Sequence, residues 1–401
     1  MLEFLRGRDL RALVQTAGIT YGGTALSLVS APLLARTVGA DGRGVLAAAF
    51  VTLQLLSWVS FLGLPRGLAL QSVKRDQISG AGVMATLALG VLSAVLAIGT
   101  ADLVANGDDR VALGIRVSAV VLVGSGFGQV GVELLLLKNK IVRYNLTRAA
   151  VLVLPASTII VTYFLGALTL RSAYVIMLGG QVLSTVLGCL FAVILIRGSA
   201  PAPVPWNFSL KYWATSALDA VGGRGDQVAL SALTQASVLG VYSLAVTCAT
   251  ASAGLTAALN SLAYSKFAGL SADDSKVFMR RRTLIGITCS LLSGSAIVVV
   301  VFFFGRALFG PTFDGLTPVV IVLVATQVIA DQWSLRVLAD SAREAAGHLV
   351  VASVVGIVVL AGLVTTLAVG NALSGLTMAA AMFVFSVARL SAWSVLSRQK
   401  A

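Results

Sequence analysis

The sequence predicts an all-α, polytopic membrane protein with twelve transmembrane helices, arranged along the chain as two sets of six. Hydrophobic residues make up 58% of the 401 residues and charged residues only 11%, against roughly 25% charged residues in soluble domains. Apolar runs of about 20 residues, the length that crosses a bilayer, follow one another with short connections. A proline-rich segment at mid-chain separates the sixth run from the seventh.

The twelve predicted spans account for most of the chain. They cover residues 12–35, 44–64, 80–100, 112–137, 147–166, 172–196, 211–234, 239–264, 283–304, 316–340, 348–369 and 373–396. The connections between them are too short to form a soluble domain. We therefore expect the function of the protein to be carried out within the membrane or at its two surfaces.

The net charge of +13 follows membrane topology and is not gathered into a nucleic-acid-binding surface. Of the 29 Lys and Arg residues, five (Arg36, Arg43, Arg110, Arg171, Arg306) lie at outward segments and four (Arg116, Arg224, Arg336, Arg389) lie within spans. The other 20 lie in or beside inward segments if the N-terminus is cytoplasmic, which is the usual bias of membrane proteins. The distribution predicts a multi-pass protein of the cell membrane with both termini in the cytoplasm. Basic clusters would contact anionic lipids, and we expect no nucleic-acid partner.

The segment RGSAPAPVPWNFSLK, residues 197–211, holds three of the eight prolines in the chain. Proline at this density favours an extended linker over a helix. We therefore predict an N-terminal lobe over residues 1–196, a cytoplasmic linker over 197–211 and a C-terminal lobe over 212–401.

An internal repeat agrees with this division. The stretch LARTVGADGRGVLAAA (34–49) matches LSALTQASVLGVYSLA (230–245) at an offset of 196, which pairs Gly44 with Gly240. Because each half would hold an even number of spans, both halves enter the membrane from the cytoplasm. A parallel repeat of this kind is related by an axis along the membrane normal.

The polar residues argue against an enzyme. His348 is the one histidine in the chain, and Cys189, Cys248 and Cys289 are isolated in separate spans, so neither a metal site nor a catalytic triad has its partners. The sequence GFGQVG (126–131) fits a dinucleotide motif, but it lies within a span and not between a strand and a helix. We interpret it as a site of close helix packing. We expect no catalytic residues, no metal and no cofactor.

Charged side chains inside the spans mark candidate sites, because an ionised group at the bilayer centre costs at least about 2.5–3.5 kcal/mol. Arg116, Arg336 and Arg389 lie close enough to span ends to extend to the interface. Arg224 lies about 13 residues, or about 20 Å of helix, beyond the start of its span. It is therefore too deep to reach either interface easily.

Arg224 belongs to the stretch SALDAVGGRGDQVALSALT (216–234), together with Asp219 and Asp226. The two aspartates are seven residues apart and share a helix face, from which Arg224 is turned well away. Three glycines around Arg224 would allow the helix to unwind and bring Arg224 to Asp226. Two interpretations stay open: a buried structural pair that joins two spans, and a hydrated cavity with a fixed positive charge.

A second deep polar pair, Asp331 and Gln332, lies in the span 316–340. A packed polar contact and a cation site are both consistent with it. Asp219, Asp226 and Asp331 are therefore the candidate ion-coupling residues of a transporter driven by a cation or by the membrane potential.

Four short segments carry motifs of a known transporter family. They are PLLARTVGADGRGVLAAAF (32–50), LGLPRGLAL (62–70), RYNLTRAAVLVLP (143–155) and RGDQVALSALTQASVLGVYSLA (224–245). They resemble the polysaccharide-biosynthesis flippases of the multidrug/oligosaccharidyl-lipid/polysaccharide exporter superfamily, and with the twelve spans the resemblance covers essentially the whole chain. Lipid II flippases are similar to a smaller degree, because they have more spans and a more cationic cavity.

The resemblance implies two six-helix lobes that form a V around a central cavity. It also implies a substrate: a polyprenyl-pyrophosphate-linked oligosaccharide, flipped across the cytoplasmic membrane by alternating access for the synthesis of cell-surface polysaccharide. In such a protein Arg224, with Asp226 and Asp219 beside it, would face the anionic head and bind phosphate by charge-assisted hydrogen bonds.

The first span departs from the family pattern, since it contains no arginine between Ala12 and Ala35. The N-terminal lobe would therefore line the cavity with neutral polar groups, among them Gln15, Tyr21 and Thr24.

Three alternatives to a flippase remain, one of them a scaffold or partner-binding membrane protein. A cation-coupled multidrug or metabolite antiporter on the same fold would use the candidate ion-coupling aspartates. A membrane-embedded polysaccharide polymerase would need catalytic acids or arginines on a large outward loop, and the outward loops here have about a dozen residues or fewer.

The topology can be tested by labelling single cysteines from outside the cell. Because the Lys and Arg bias places residues 197–211 and 265–282 in the cytoplasm, a cysteine at Ser199 or Ser275 should resist a membrane-impermeant maleimide. A cysteine at Asn106 or Thr312 should react. The reverse pattern would refute the predicted orientation.

Overall fold

A computed structural model describes residues 7–254, 256, 257, 260, 272–342 and 347–398. The described part of the chain forms the helices α1 (Gly7–Val59), α2 (Leu64–Arg75), α3 (Gly80–Gly99), α4 (Ala101–Ala105), α5 (Asp109–Leu137), α6 (Ile141–Leu152), α7 (Leu154–Phe164), α8 (Leu170–Ile196), α9 (Trp206–Leu233), α10 (Ala236–Ser252), α11 (Ala272–Phe309), α12 (Leu316–Ala342), α13 (Gly347–Val369) and α14 (Gly375–Arg398). A 3₁₀ turn, Pro311–Phe313, precedes α12, and two short strands, β1 (Gln77–Ile78) and β2 (Ala200–Pro201), pair in parallel.

These helices confirm the predicted all-α, multi-pass membrane architecture. Among the described residues, nine helical stretches are long and apolar enough to cross a membrane. One of them, Gly18–Val59, contains the first two predicted spans, and α9 and α10 match the seventh and eighth, which accounts for all twelve. The end of the predicted span 239–264, the first part of the inward loop 265–282 and both chain ends lie outside the described residues.

The first two spans are joined more tightly than the sequence predicts. In place of a loop over 36–43, α1 continues as helix with one non-helical residue, Gly39, at φ 68° and ψ −177°. A positive φ of this size is accessible to glycine without steric penalty. A single residue therefore changes the direction of the chain between the two spans.

The fifth predicted span is divided into α6 and α7. The break falls at Val153, two residues before Pro155. Proline lacks the N–H that would continue the hydrogen-bond ladder and its ring crowds the preceding turn. The span therefore begins at Ile141, earlier than predicted, and is completed by two short helices.

The glycines of the GFGQVG stretch lie at close helix contacts, as the sequence predicts. A Cβ built on Gly131 of α5 would lie 1.9 Å from the carbonyl oxygen of Gly188 on α8, and one on Gly188 would lie 2.5 Å from the Gly128 oxygen. A Cβ built on Gly126 would lie 2.5 Å from the Phe61 ring, so this ring occupies the space that a side chain would need. These glycines therefore allow the backbone of α5 to pack closely against neighbouring helices.

The chain folds as two compact units. Unit 1 comprises Met1–Val38 and Val45–Ala220, and unit 2 comprises Gly39–Gly44 and Val221–Ala401. The tip of the first hairpin thus groups with unit 2, and the first half of α9 groups with unit 1. The lobe boundaries drawn from the proline-rich segment stay a prediction.

The residues after α8 are held within unit 1 by strand pairing and by hydrogen bonds from side chains to backbone carbonyls. Strand β2 pairs with β1, with Gln77 opposite Ala200, and the Gln71 side chain donates to the Pro203 carbonyl at 2.9 Å. At the start of α9, the Trp213 indole donates to the Val59 carbonyl at 2.7 Å. The proline-rich segment therefore follows the surface of unit 1 closely.

The two glycines paired by the internal repeat contact each other's helices within unit 2. A Cβ on Gly44 would lie 1.7 Å from the Ala236 oxygen, and one on Gly240 would lie 1.8 Å from the Ala40 oxygen. Ala40 and Ala236 are themselves 196 residues apart. The contact is therefore reciprocal, as expected for two copies of one motif around a local two-fold axis.

The close contact between α5 and α8 predicts a large effect of the smallest substitution. Gly131→Ala should lower the free energy of unfolding by about 1–3 kcal/mol, because the new methyl group overlaps the Gly188 backbone. Thermal unfolding in detergent measures this. Gly179→Ala is the matched control, since a Cβ there meets nothing within 4 Å and should be neutral or stabilising. An unchanged melting temperature for Gly131→Ala would contradict the packing.

Candidate functional site

The deep charges predicted for the seventh span lie on an unbroken helix. Helix α9 is regular from Trp206 to Leu233, so the expected unwinding at the glycines is wrong. The missing side chain of Gly222 instead makes room for the Phe385 ring, whose Cζ would lie 2.8 Å from a built Cβ. The glycines thus allow packing within the helix and leave its hydrogen bonds intact.

Asp226 is buried at 3% exposure and is held by a partner that the sequence analysis did not identify. Its Oδ2 accepts a hydrogen bond of 2.5 Å from the hydroxyl of Tyr242, a residue with no exposed surface. Its Oδ1 accepts from the backbone N–H of Gln227 at 2.8 Å. The carboxylate is therefore satisfied by neutral donors from α9 and α10.

Arg224 and Asp219 lie on the exposed part of α9. The described residues include no carboxylate within 4.0 Å of the Arg224 guanidinium. Since Asp226 points to Tyr242, the structure does not bring Arg224 and Asp226 into a direct ion pair. Arg224 thus keeps an available guanidinium in the middle of a predicted span.

The candidate residues of the first span lie on α1, in unit 1. Tyr21 is 39% exposed, Gln15 is also exposed and Thr24 is half-buried. Tyr21 and Thr24 are three residues apart and share a helix face, whereas Gln15 is nine residues from Thr24 and points to the opposite side. Thr24 donates its hydroxyl to the Thr20 carbonyl at 2.9 Å.

Asp331 lies at the centre of a buried polar network in unit 2. It is 5% exposed, and its carboxylate accepts from the Ser290 hydroxyl at 2.5 Å and from the Gln327 amide at 2.9 Å. The Thr256 hydroxyl lies 2.8 Å from that of Ser290, and Asn260 donates to the Asp331 carbonyl at 3.3 Å. All these donors are neutral, and their oxygens are ligands that suit hard cations.

The hydroxyl partners of both aspartates lie on other parts of the chain, whereas the Gln227 N–H and the Gln327 amide come from the same helix as the aspartate that they bond. Tyr242, Ser290 and Thr256 lie in apolar spans that hold several other polar residues, so their spacing along the sequence does not single them out. The segment 224–245, which carries part of the family resemblance, did include Tyr242. No cluster of three His, Cys, Asp or Glu side chains able to hold a metal is present among the described residues.

Arg389 is also buried, so the expectation that it extends to the interface is wrong. Its guanidinium lies 4.3 Å from the centre of the Trp333 ring and 4.8 Å from that of Phe385. Stacking on aromatic rings stabilises a desolvated cation. Arg116, by contrast, is exposed and pairs with Asp102 at 2.6 Å.

Solved structures of transporters share this fold. The chain is similar to the lipid II flippase MurJ in an inward closed conformation, with a TM-score of 0.75 and 11% identity over 96% of this chain and 87% of that one. It is similar to an inward-facing multidrug resistance MATE family transporter of the MOP superfamily (TM-score 0.66, 15% identity, 97% and 100% coverage) and to MATE in the straight conformation (0.57, 15%, 98% and 95%). No family model and no curated protein matches the sequence.

The predicted superfamily resemblance is thus confirmed at the level of the fold. The likeness to a lipid II flippase is larger than the sequence motifs indicated. At these low identities the likeness establishes architecture, and the function must be argued from the polar residues themselves.

The Asp226–Tyr242 hydrogen bond should contribute measurably to stability. Tyr242→Phe should lower the free energy of unfolding by about 1.5–3 kcal/mol, since it leaves a buried carboxylate short of a donor. The double change Tyr242→Phe with Asp226→Leu should recover part of that loss. Thermal unfolding measures both, with Tyr163→Phe as a control tyrosine. Equal melting temperatures for Tyr242→Phe and the wild type would contradict the contact.

Proposed function

We propose that this chain, which has the fold shared by MurJ and MATE transporters, flips a polyprenyl-pyrophosphate-linked oligosaccharide across the cytoplasmic membrane. The movement would proceed by alternating access and would supply cell-surface polysaccharide synthesis. The observation that carries the proposal is Arg224, an exposed guanidinium deep in a membrane helix with no carboxylate within ion-pair distance among the described residues.

An arginine in this position requires an anion or water, because the bilayer interior offers neither. The planar guanidinium presents parallel N–H donors that fit two oxygens of a phosphate group. A pyrophosphate-linked lipid supplies such oxygens while its tail remains in the bilayer. An organic cation, the usual substrate class of an acidic cavity, would be repelled by the same charge.

The neighbouring carboxylates give the site a way to release its ligand. Asp226, two residues from Arg224 and fixed by Tyr242, moderates the positive potential around the guanidinium. Asp219 contributes further negative charge on the same helix. A site of intermediate charge binds the anionic head and lets it leave on the other side.

The first span would supply neutral contacts. Tyr21 and Thr24 share a face of α1 and are proposed to contact the sugars. Gln15 lies on the opposite side of α1 from Thr24, so it stays a predicted contact that this face does not include. These residues are proposed as binding groups only. The protein would change neither the lipid nor the glycan, and it would use no cofactor.

The protein would reside in the cell membrane with both termini in the cytoplasm, in contact with anionic membrane lipids through its basic loops. Coupling to a cation or to the membrane potential would then drive net movement. The buried network around Asp331 supports a coupling site, since it combines a carboxylate with the hydroxyl oxygens of Ser290 and Thr256. Asp219 and Asp226 are the other candidates for coupling.

The same network favours a second candidate function, a cation-coupled multidrug or metabolite antiporter. MATE transporters share the fold, and a buried carboxylate that binds a cation would serve an antiporter equally well. In that case Arg224 would be dispensable and Asp331 essential.

Purified protein in liposomes tests the flippase. The wild type should move a fluorescent polyprenyl-pyrophosphate sugar to or from an external quencher with the lipid unchanged. Arg224→Gln should abolish the movement with expression and melting temperature nearly unchanged. Arg224→Lys should keep part of it, because lysine lacks the planar fork, and Asp226→Asn should be milder than either.

Arg116→Gln is the control, since it removes an exposed arginine near a span end and should leave flipping intact. Recovery of a longer or cleaved glycan would show an enzyme. Cation-driven drug exchange that survives Arg224→Gln but not Asp331→Asn would show an antiporter. If Arg224→Gln unfolds the protein and Arg224→Leu with Asp226→Leu restores folding and transport, the two residues form a structural pair.

A further inference from the structure

Gln227, on α9, combines deep burial with a side-chain amide that has no acceptor. The residue is 5% exposed, and its Nε2 makes no hydrogen bond to any described residue. That nitrogen carries two N–H donors. Buried donors without partners are rare in folded proteins, and each one calls for a specific explanation.

The nearest polar groups do not satisfy this amide. Asp226 directs one carboxylate oxygen to the Tyr242 hydroxyl and the other to the backbone N–H of Gln227. A hydrophobic side chain of the same size would pack in this environment without any unmet donor. Among the described residues, the Gln227 amide nitrogen therefore has no hydrogen-bond acceptor that would explain a glutamine at this position.

The position of Gln227 relates it to Arg224. The two are three residues apart, so they are separated by about 60° around α9 and about 4.5 Å along its axis. Asp226 and Asp219 lie on the other side of Gln227 around the helix. Gln227 is thus placed near the middle of the polar face, next to the guanidinium.

The chemistry of the two side chains suits different parts of one ligand. Arg224 is charged and favours phosphate oxygens, whereas an amide is neutral and donates equally well to a hydroxyl or an acetamido carbonyl. A donor shielded from water discriminates strongly between ligands that supply an acceptor and ligands that do not.

We propose that Gln227 is a specificity-determining residue that donates its amide N–H groups to an oxygen of the first sugar of the substrate head. This inference rests on the proposed flippase function and deepens it. Arg224 would bind the pyrophosphate. Gln227 would form hydrogen bonds with the attached sugar when the transport cycle exposes this face of α9.

The test compares two lipids that differ only in the sugar. Both are polyprenyl pyrophosphates labelled at the first isoprene unit, one with a single N-acetylhexosamine and one without. In liposomes, Gln227→Leu should slow movement of the sugar-bearing lipid about tenfold, the effect of one lost hydrogen bond, and leave the bare lipid unaffected. Its melting temperature should equal or exceed that of the wild type, because the substitution removes an unmet donor.

Gln129→Leu is the matched control. The Gln129 amide is satisfied, donating to the Ser57 carbonyl at 3.0 Å, so its loss should lower the melting temperature and affect the two lipids equally. Equal slowing of both lipids by Gln227→Leu would overturn the inference but not the proposed flippase function. A lower melting temperature of Gln227→Leu with unchanged lipid preference would do the same. A wild type that moves neither lipid would refute the flippase and the sugar assignment together.

Discussion

A polar group inside a bilayer has no water to bond with, and this constraint applies to the buried charged residues of unit 2. Two of its three buried carboxylates, Asp226 and Asp331, illustrate it. Asp226 is held by Tyr242 and Asp331 by Ser290 and Gln327. Both take neutral donors and neither takes an arginine. These two acids are therefore satisfied by hydroxyl and amide groups, and neither forms an ion pair with the Arg224 guanidinium among the described residues.

The spans could be predicted because length and apolar composition are local properties of the sequence. The change of direction at Gly39, which replaces the predicted loop between the first two spans, could not be predicted, because it depends on the backbone conformation of one residue. The residues that donate hydrogen bonds to Asp226 and Asp331 could not be predicted either. Tyr242 lies 16 residues from Asp226, and Ser290 lies 41 from Asp331. Which polar residue meets which carboxylate depends on how each helix is rotated, and a uniformly apolar span fixes that rotation only through packing.

A flippase and a cation antiporter can share this architecture because the helices set the scaffold and a few polar groups set the substrate. The distinction lies in which of those groups the protein satisfies by itself. The carboxylates of Asp226 and Asp331 have their donors, whereas the amide of Gln227 lacks an acceptor in the described structure. The Gln227 amide is a hydrogen-bond donor without an acceptor, which favours a substrate rich in phosphate and sugar oxygens over an organic cation.

The reciprocal contact of Gly44 with Gly240 also sets an order of assembly. The first hairpin tip is synthesised 196 residues before the helix that receives it, which at about 5–20 residues per second is a delay of roughly 10–40 s. During that interval the tip has neither of its unit 2 partners, and the chain is exposed to mispairing with other proteins. Assembly of unit 2 thus includes a joining step that must wait for α10, and membrane chaperones that shield unfinished helices would act before it.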